Sequence, residues 1–98
     1  MEQRDYLIIL YDLYGELLSD DNKKYFEEYY FDNLSLGEIA DNLGISRNAV
    51  HKHIKSAESK LMFYEEKLKL YDKDKKLRNL LREINDKEIK EKLEEIFN

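Results

Sequence analysis

The sequence predicts an all-α chain built around a helix-turn-helix bundle, and three observations carry that expectation. Breakers are scarce: proline does not occur, and glycine stands only at Gly15, Gly37 and Gly44. Apolar residues recur three and four positions apart along most of the 98 residues, the spacing of a helix face. One block, residues 35–55, reads as a capped helix, a glycine corner and a second capped helix with a basic outer face.

In chain order, the spacing predicts a first helix over residues 3–18. Tyr6, Leu7, Leu10, Tyr14, Leu17 and Leu18 form its apolar face. Ser19 or Asp20 caps a second helix from Asp21 to Phe31, with Phe26, Tyr29 and Tyr30 inward. Asp32, Asn33 and Leu34 form a turn. The surrounding tyrosines and phenylalanines favour core packing over base stacking, because the segment around them is acidic and would repel phosphates.

The central block is the most informative. Leu36, Ile39, Ala40 and Leu43 share one face, and Ser35 with Glu38 makes a capping box. Ala40 is small where crossing helices approach. Gly44 suits the left-handed conformation that ends a helix, and Ile45 plugs the corner. Ser46 caps the second helix. Val50 and Ile54 turn to the core, leaving Arg47, Asn48, His51, Lys52 and Lys55 on the outer face. Arg pairs with guanine edges, Asn with adenine edges and Lys with phosphates. Ser46, Arg47, Asn48, His51, Lys52 and Lys55 are therefore the candidate DNA-binding residues.

That second helix is expected to run on. Val50, Ile54, Ala57, Leu61, Tyr64, Leu68 and Tyr71 alternate spacings of four and three, a heptad stripe. From Ser46 to Tyr71 it would span ~39 Å. Leu77, Leu80, Leu81 and Ile84 form another stripe. Asn85 or Asp86 caps a last helix bearing Ile89, Leu93, Ile96 and Phe97. The expected organisation is a helix-turn-helix domain over 1–71, with its reading block at 35–55, and a C-terminal helical extension over 72–98. The extension either packs back on the long helix or pairs with a second copy; a homodimer is expected, because two half-sites make a symmetric reader.

Charge sharpens the reading. The formal net charge is −5, which argues against a non-specific nucleic-acid coat. Residues 1–34 hold nine acids and three bases, whereas 46–60 hold four bases against Glu58 alone. Positive charge is thus focused on the reading helix, and affinity should depend on the site and fall with salt.

Catalytic chemistry is not expected. His51 and His53 are two apart and point to different faces of a helix, so they form no metal pair. Glu27-Glu28, Glu65-Glu66 and Glu94-Glu95 are adjacent rather than convergent and are expected to be solvated. No phosphate loop or activated nucleophile stands out, and no cofactor is expected. With no cysteine, no apolar run near the ~20 residues of a membrane span and no basic-then-apolar start, a cytoplasmic protein without a membrane span is the expectation.

Residues 34–40 and 44–50 resemble the promoter-binding region of bacterial sigma factors (region 4), over roughly residues 18–60. A closer resemblance is to the YlxM family of small bacterial proteins. It is carried by residues 11–18 (YDLYGELL), 29–40 (YYFDNLSLGEIA) and 64–71 (YEEKLKLY). The first stretch is the most specific, since generic sigma-like domains lack it. The resemblance implies a DNA-binding helix-turn-helix protein. Its family's genes lie beside those of signal recognition particle components, which implies a regulatory link to that pathway. The alternative it leaves open is an interaction module that binds the particle's protein or RNA. The resemblance supplies no site residues.

Overall fold

A computed structural model describes residues 1–97, with the backbone alone at Phe97. The Phe97 side chain, expected on the last apolar stripe, and Asn98 lie outside the described residues. The chain forms two compact units, residues 1–68 and the segment from Lys69 onward. All the regular structure among the described residues is helical.

The first unit opens with α1 (Gln3–Tyr14), whose Leu7, Leu10 and Tyr14 are buried. The helix expected to reach residue 18 stops at Tyr14 and tightens into a 3₁₀ turn, Gly15–Leu17. A Cβ on Gly15 would stand 3.0 Å from Cε2 of Tyr11, so a side chain there would have to push that ring aside by a few tenths of an ångström. The tighter turn also rotates the face. Leu18 is buried, but Leu17, expected beside it, is 55% exposed.

Helix α2 (Asp20–Tyr30) starts where Ser19 Oγ accepts from the Asn22 N–H at 3.2 Å, with Asp20 and Asp21 at the positive end of its dipole. Phe26 and Tyr30 are buried, while Tyr29 is half-buried, edge-on to Tyr30. Phe26 stacks between Tyr11 (4.5 Å between centroids) and Tyr30 (4.3 Å). These rings are therefore packing elements, as the acidic surroundings suggested. Arg4 Nη2 donates to the Tyr30 carbonyl at 2.6 Å and to Asn33 Oδ1 at 3.0 Å, placing a cation at the negative end of α2.

Helix α3 (Leu36–Leu43) carries the expected capping box. Ser35 Oγ accepts from the Glu38 N–H at 3.1 Å, and Glu38 Oε1 accepts from the Ser35 N–H at 3.0 Å. Those bonds hold the Glu38 carboxyl below the usual carboxylate range. Gly44 sits at φ 67°, and its N–H and that of Ile45 both close on the Ala40 carbonyl. Helix α4 (Arg47–Leu68) buries Val50, Ile54, Ala57 and Leu61, and α1, α2 and α3 all pack against it. It ends at Leu68, short of the expected Tyr71. Lys69 adopts a left-handed conformation (φ 55°) although no glycine or proline marks the break.

The second unit holds α5 (Leu70–Leu81) and α6 (Lys87–Phe97). Leu81 is buried, Leu77, Ile84 and Leu93 are half-buried, and Leu80, Ile89 and Ile96 are exposed. Of the two residues expected to cap α6, Asp86 does so: its Oδ1 accepts from the Ile89 N–H at 3.1 Å.

Gly44 isolates one term of this architecture, because a Cβ there would meet nothing within 4 Å. Gly44→Ala should therefore cost only the conformational penalty, about 1–2 kcal/mol, and Gly44→Asn less. Urea denaturation of the three proteins measures it.

Candidate nucleic-acid interface

The candidate site is built on the first two turns of α4. Ser46 Oγ accepts from the Ala49 N–H at 3.1 Å and the Ser46 carbonyl accepts from the Val50 N–H at 3.1 Å, so the helix starts where the sequence placed it. With Val50 and Ile54 fully turned inward, Arg47, Asn48, His51, Lys52 and Lys55 are all exposed, as is Ser46. Helical geometry thus brings all six sequence-derived residues onto one accessible stretch.

Their environments differ. The Arg47 side chain runs across the start of α3: a Cβ on Gly37 would lie 3.8 Å from its Nε. Among the described residues, Arg47 and Lys52 enter no ion pair, so their charge faces outward. Lys55 is tied down. Its Nζ lies 3.2 Å from Oε1 of Glu58, and Glu58 Oε2 accepts the Tyr30 hydroxyl. The Tyr30–Glu58 bond ties α4 to α2, and Lys55 pairs with the other oxygen of the same carboxylate. His53, half-buried, stacks on Tyr25 at 4.5 Å, while His51 is exposed. Among the described residues no three His, Cys, Asp or Glu side chains gather in a metal-binding group.

Sequence reasoning missed Glu58 and Glu65. Glu65 was expected in solvent with Glu66; only Glu66 is exposed, while Glu65 is buried and accepts the Tyr14 hydroxyl at 2.6 Å. Buried carboxylates need such donors. The signal that could have exposed them is their seven-residue spacing, which places both at the same rotational position beside the Ile54–Leu61 stripe. Glu27 also departs from a purely solvated role, accepting the Tyr11 hydroxyl at 2.5 Å.

With this geometry in place, residues 1–97 match the family described as "UPF0122: Putative helix-turn-helix protein, YlxM / p13 like". The chain belongs to that family. It is 46% identical over 79 residues to a UPF0122 protein of Thermoanaerobacter sp. (strain X514), covering 81% of this chain and 68% of the relative. A UPF0122 protein of Bacillus pumilus is 42% identical over 86 residues, covering 88% and 78% of the two chains. One from Ureaplasma parvum is 40% identical over 94 residues, covering 96% and 95%. The capped α3–Gly44–α4 unit has the helix, tight turn and helix order of a helix-turn-helix. Among the described residues no helix is long and apolar enough to cross a membrane.

The Tyr30–Glu58 bond gives a test. Burial, then the hydrogen bond to Glu58, holds the Tyr30 phenol above its ordinary range, and burial with Glu27 does the same for Tyr11. A proton held more tightly in the fold stabilises it below the unfolded tyrosine pKa of about 10, and that contribution is lost as pH rises past it. Tyr30→Phe should cost about 1–3 kcal/mol at neutral pH by stripping buried Glu58 of a donor. It should also flatten the alkaline loss of stability, read by denaturant titrations at pH 7 and above 10.

Proposed function

We propose that this chain is a sequence-specific DNA-binding regulator that reads the major groove with the start of α4 and acts as a homodimer. The observation that carries the reading is the capped first turn of α4, from which exposed Arg47, Asn48 and Lys52 project while the opposite face is locked into the bundle. Arg47 and Asn48 would contact base edges. Lys52 and Lys55 would hold phosphates, with Ser46 and His51 beside them on the same exposed stretch. The helix N-terminus adds free N–H groups toward the backbone of the duplex. The function is binding rather than catalysis, and the acidic first third of the chain holds non-specific affinity down.

The homodimer rests on the C-terminal extension. Leu80, Ile89 and Ile96 are exposed on α5 and α6, an apolar set that a second copy would cover. Two readers would then contact two half-sites, as in other helix-turn-helix dimers.

Fluorescence anisotropy with labelled promoter DNA from the chain's own operon, a scrambled duplex and signal recognition particle RNA tests the proposal at two salt concentrations. Tighter binding to the promoter is expected. Arg47→Ala should lose ~1–3 kcal/mol there and relax specificity, whereas Lys52→Ala should weaken all duplexes and lower the salt slope by about 1. Equal affinity for promoter and scrambled duplex would overturn sequence reading, and a preference for the RNA would move the ligand from DNA to the particle. Sedimentation equilibrium reads the dimer, which Ile89→Glu should weaken.

A further inference from the structure

The first unit has a second surface feature, away from the exposed residues at the start of α4. A groove of about 510 Å³ opens on α1, the 3₁₀ turn and the end of α2. Its apolar wall is Ile8, Ile9, Tyr11 and Phe31, and its acidic rim is Asp12, Glu16 and Glu27; Lys23 pairs with Glu16 at 3.2 Å, and three carboxylates against that one cation leave the rim acidic. Residues of α3 and α4 take no part in it, so it is separate from Arg47, Asn48 and Lys52.

The wall is held in place before any partner arrives. The Tyr11 ring lies nearly parallel to Phe26 (9° between planes) and is tilted on Phe31 at 5.5 Å. Its hydroxyl is fixed by Glu27 at 2.5 Å, and the missing side chain of Gly15 makes room for its edge. Phe31 nevertheless leaves 47% of its surface in solvent. A rigid aromatic wall exposed at this level lowers the ordering cost of binding. Four of its residues, Tyr11, Asp12, Gly15 and Glu16, fall in the 11–18 stretch, which the DNA-reading function does not use.

We propose that this groove is a docking site for a cationic amphipathic helix of a partner protein. Apolar side chains spaced three and four residues apart on such a helix would seat against Ile8, Ile9, Tyr11 and Phe31. Lysine or arginine side chains on its flanks would reach the rim, burying their stems and leaving their charges on Asp12, Glu16 and Glu27. The net of −6 over residues 1–34 would steer such a segment inward. A nucleic acid meets three carboxylates here and is repelled. In a second copy, α6 carries Ile89, Leu93 and Ile96 four and three apart among lysines, but exposed Ile89 and Ile96 are the residues that the proposed dimer covers. The basic outer face of α4 has its apolar face buried, and on α5 Lys76 and Arg78 are already paired with Asp72 and Asp74.

The test is a ¹⁵N-resolved NMR titration of the full chain with synthetic peptides of about 18 residues, five helical turns. One is a leucine/lysine amphipathic helix, one a lysine/serine peptide of equal charge, and one a leucine/glutamate helix. The expected result is one-to-one binding of the leucine/lysine helix, with shifts centred on Ile8, Ile9, Tyr11 and Phe31. The other two peptides should bind at least ~10-fold more weakly. Ile8→Lys should weaken the complex by a similar factor and leave DNA affinity unchanged. Asp12→Lys, at an exposed position, serves the same purpose should Ile8→Lys fail to fold. Three results would each overturn the proposal: undiminished binding by the folded variants, shifts confined to other faces, or equal binding of the lysine/serine peptide. Groove shifts on diluting the free protein would reassign the face to a second copy. DNA binding is read separately, so either proposal can fail without the other.

Discussion

Everything in the first unit depends on one apolar line along α4. Val50, Ile54, Ala57 and Leu61 are each 2% exposed or less, and α1, α2 and α3 all lie against that helix. Each large side chain so buried contributes roughly 1.5–3 kcal/mol. Ala57 and Ala40 are small enough to let neighbouring helices approach. Apolar burial is non-directional, however, and would tolerate small sliding of one helix on another. The Tyr30–Glu58 and Tyr14–Glu65 hydrogen bonds are directional. Two buried carboxylates seven residues apart, each requiring a particular hydroxyl from a different helix, favour one register because any slip strands a charge.

The site follows from that register. With its inner face spent on the bundle, the first turns of α4 show solvent the polar residues between the core positions, among them Arg47, Asn48, His51 and Lys52. Rigid seating matters for reading bases, since bidentate contacts tolerate little misplacement. Lys55 shows how closely interior and surface are coupled: its partner Glu58 is itself bonded to Tyr30, so a cation on the outer face is set by the packing of α2.

The aromatic residues of α1 and α2 serve both sides of the molecule. Phe26 and Tyr30 fill the core, Tyr11 stacks from the edge, and Phe31 emerges into solvent. One continuous stack therefore links the interior to the acidic groove, while the positive charge sits on the helix-turn-helix. That division of charge keeps the two proposed sites on separate residues of one small unit.

The sequence by itself determined the all-helical class, the position of the turn and which residues at the start of α4 are exposed. These rest on signals confined to a few neighbouring residues: the Ser35–Glu38 box, the Ser46 cap and the left-handed Gly44 each work within one helical turn. The family resemblance, written in the order of residues, was legible for the same reason. Tertiary structure alone decided where α1 tightens into a 3₁₀ turn, which turned Leu17 outward, and that α4 stops at Leu68 with no breaker present. It also decided that Glu58 and Glu65 are buried and that Lys55 has Glu58 as its partner. Those outcomes join residues 28 and 51 positions apart, Tyr30 with Glu58 and Tyr14 with Glu65. Helical periodicity gives the face a residue occupies, but the donor waiting on that face comes from another helix.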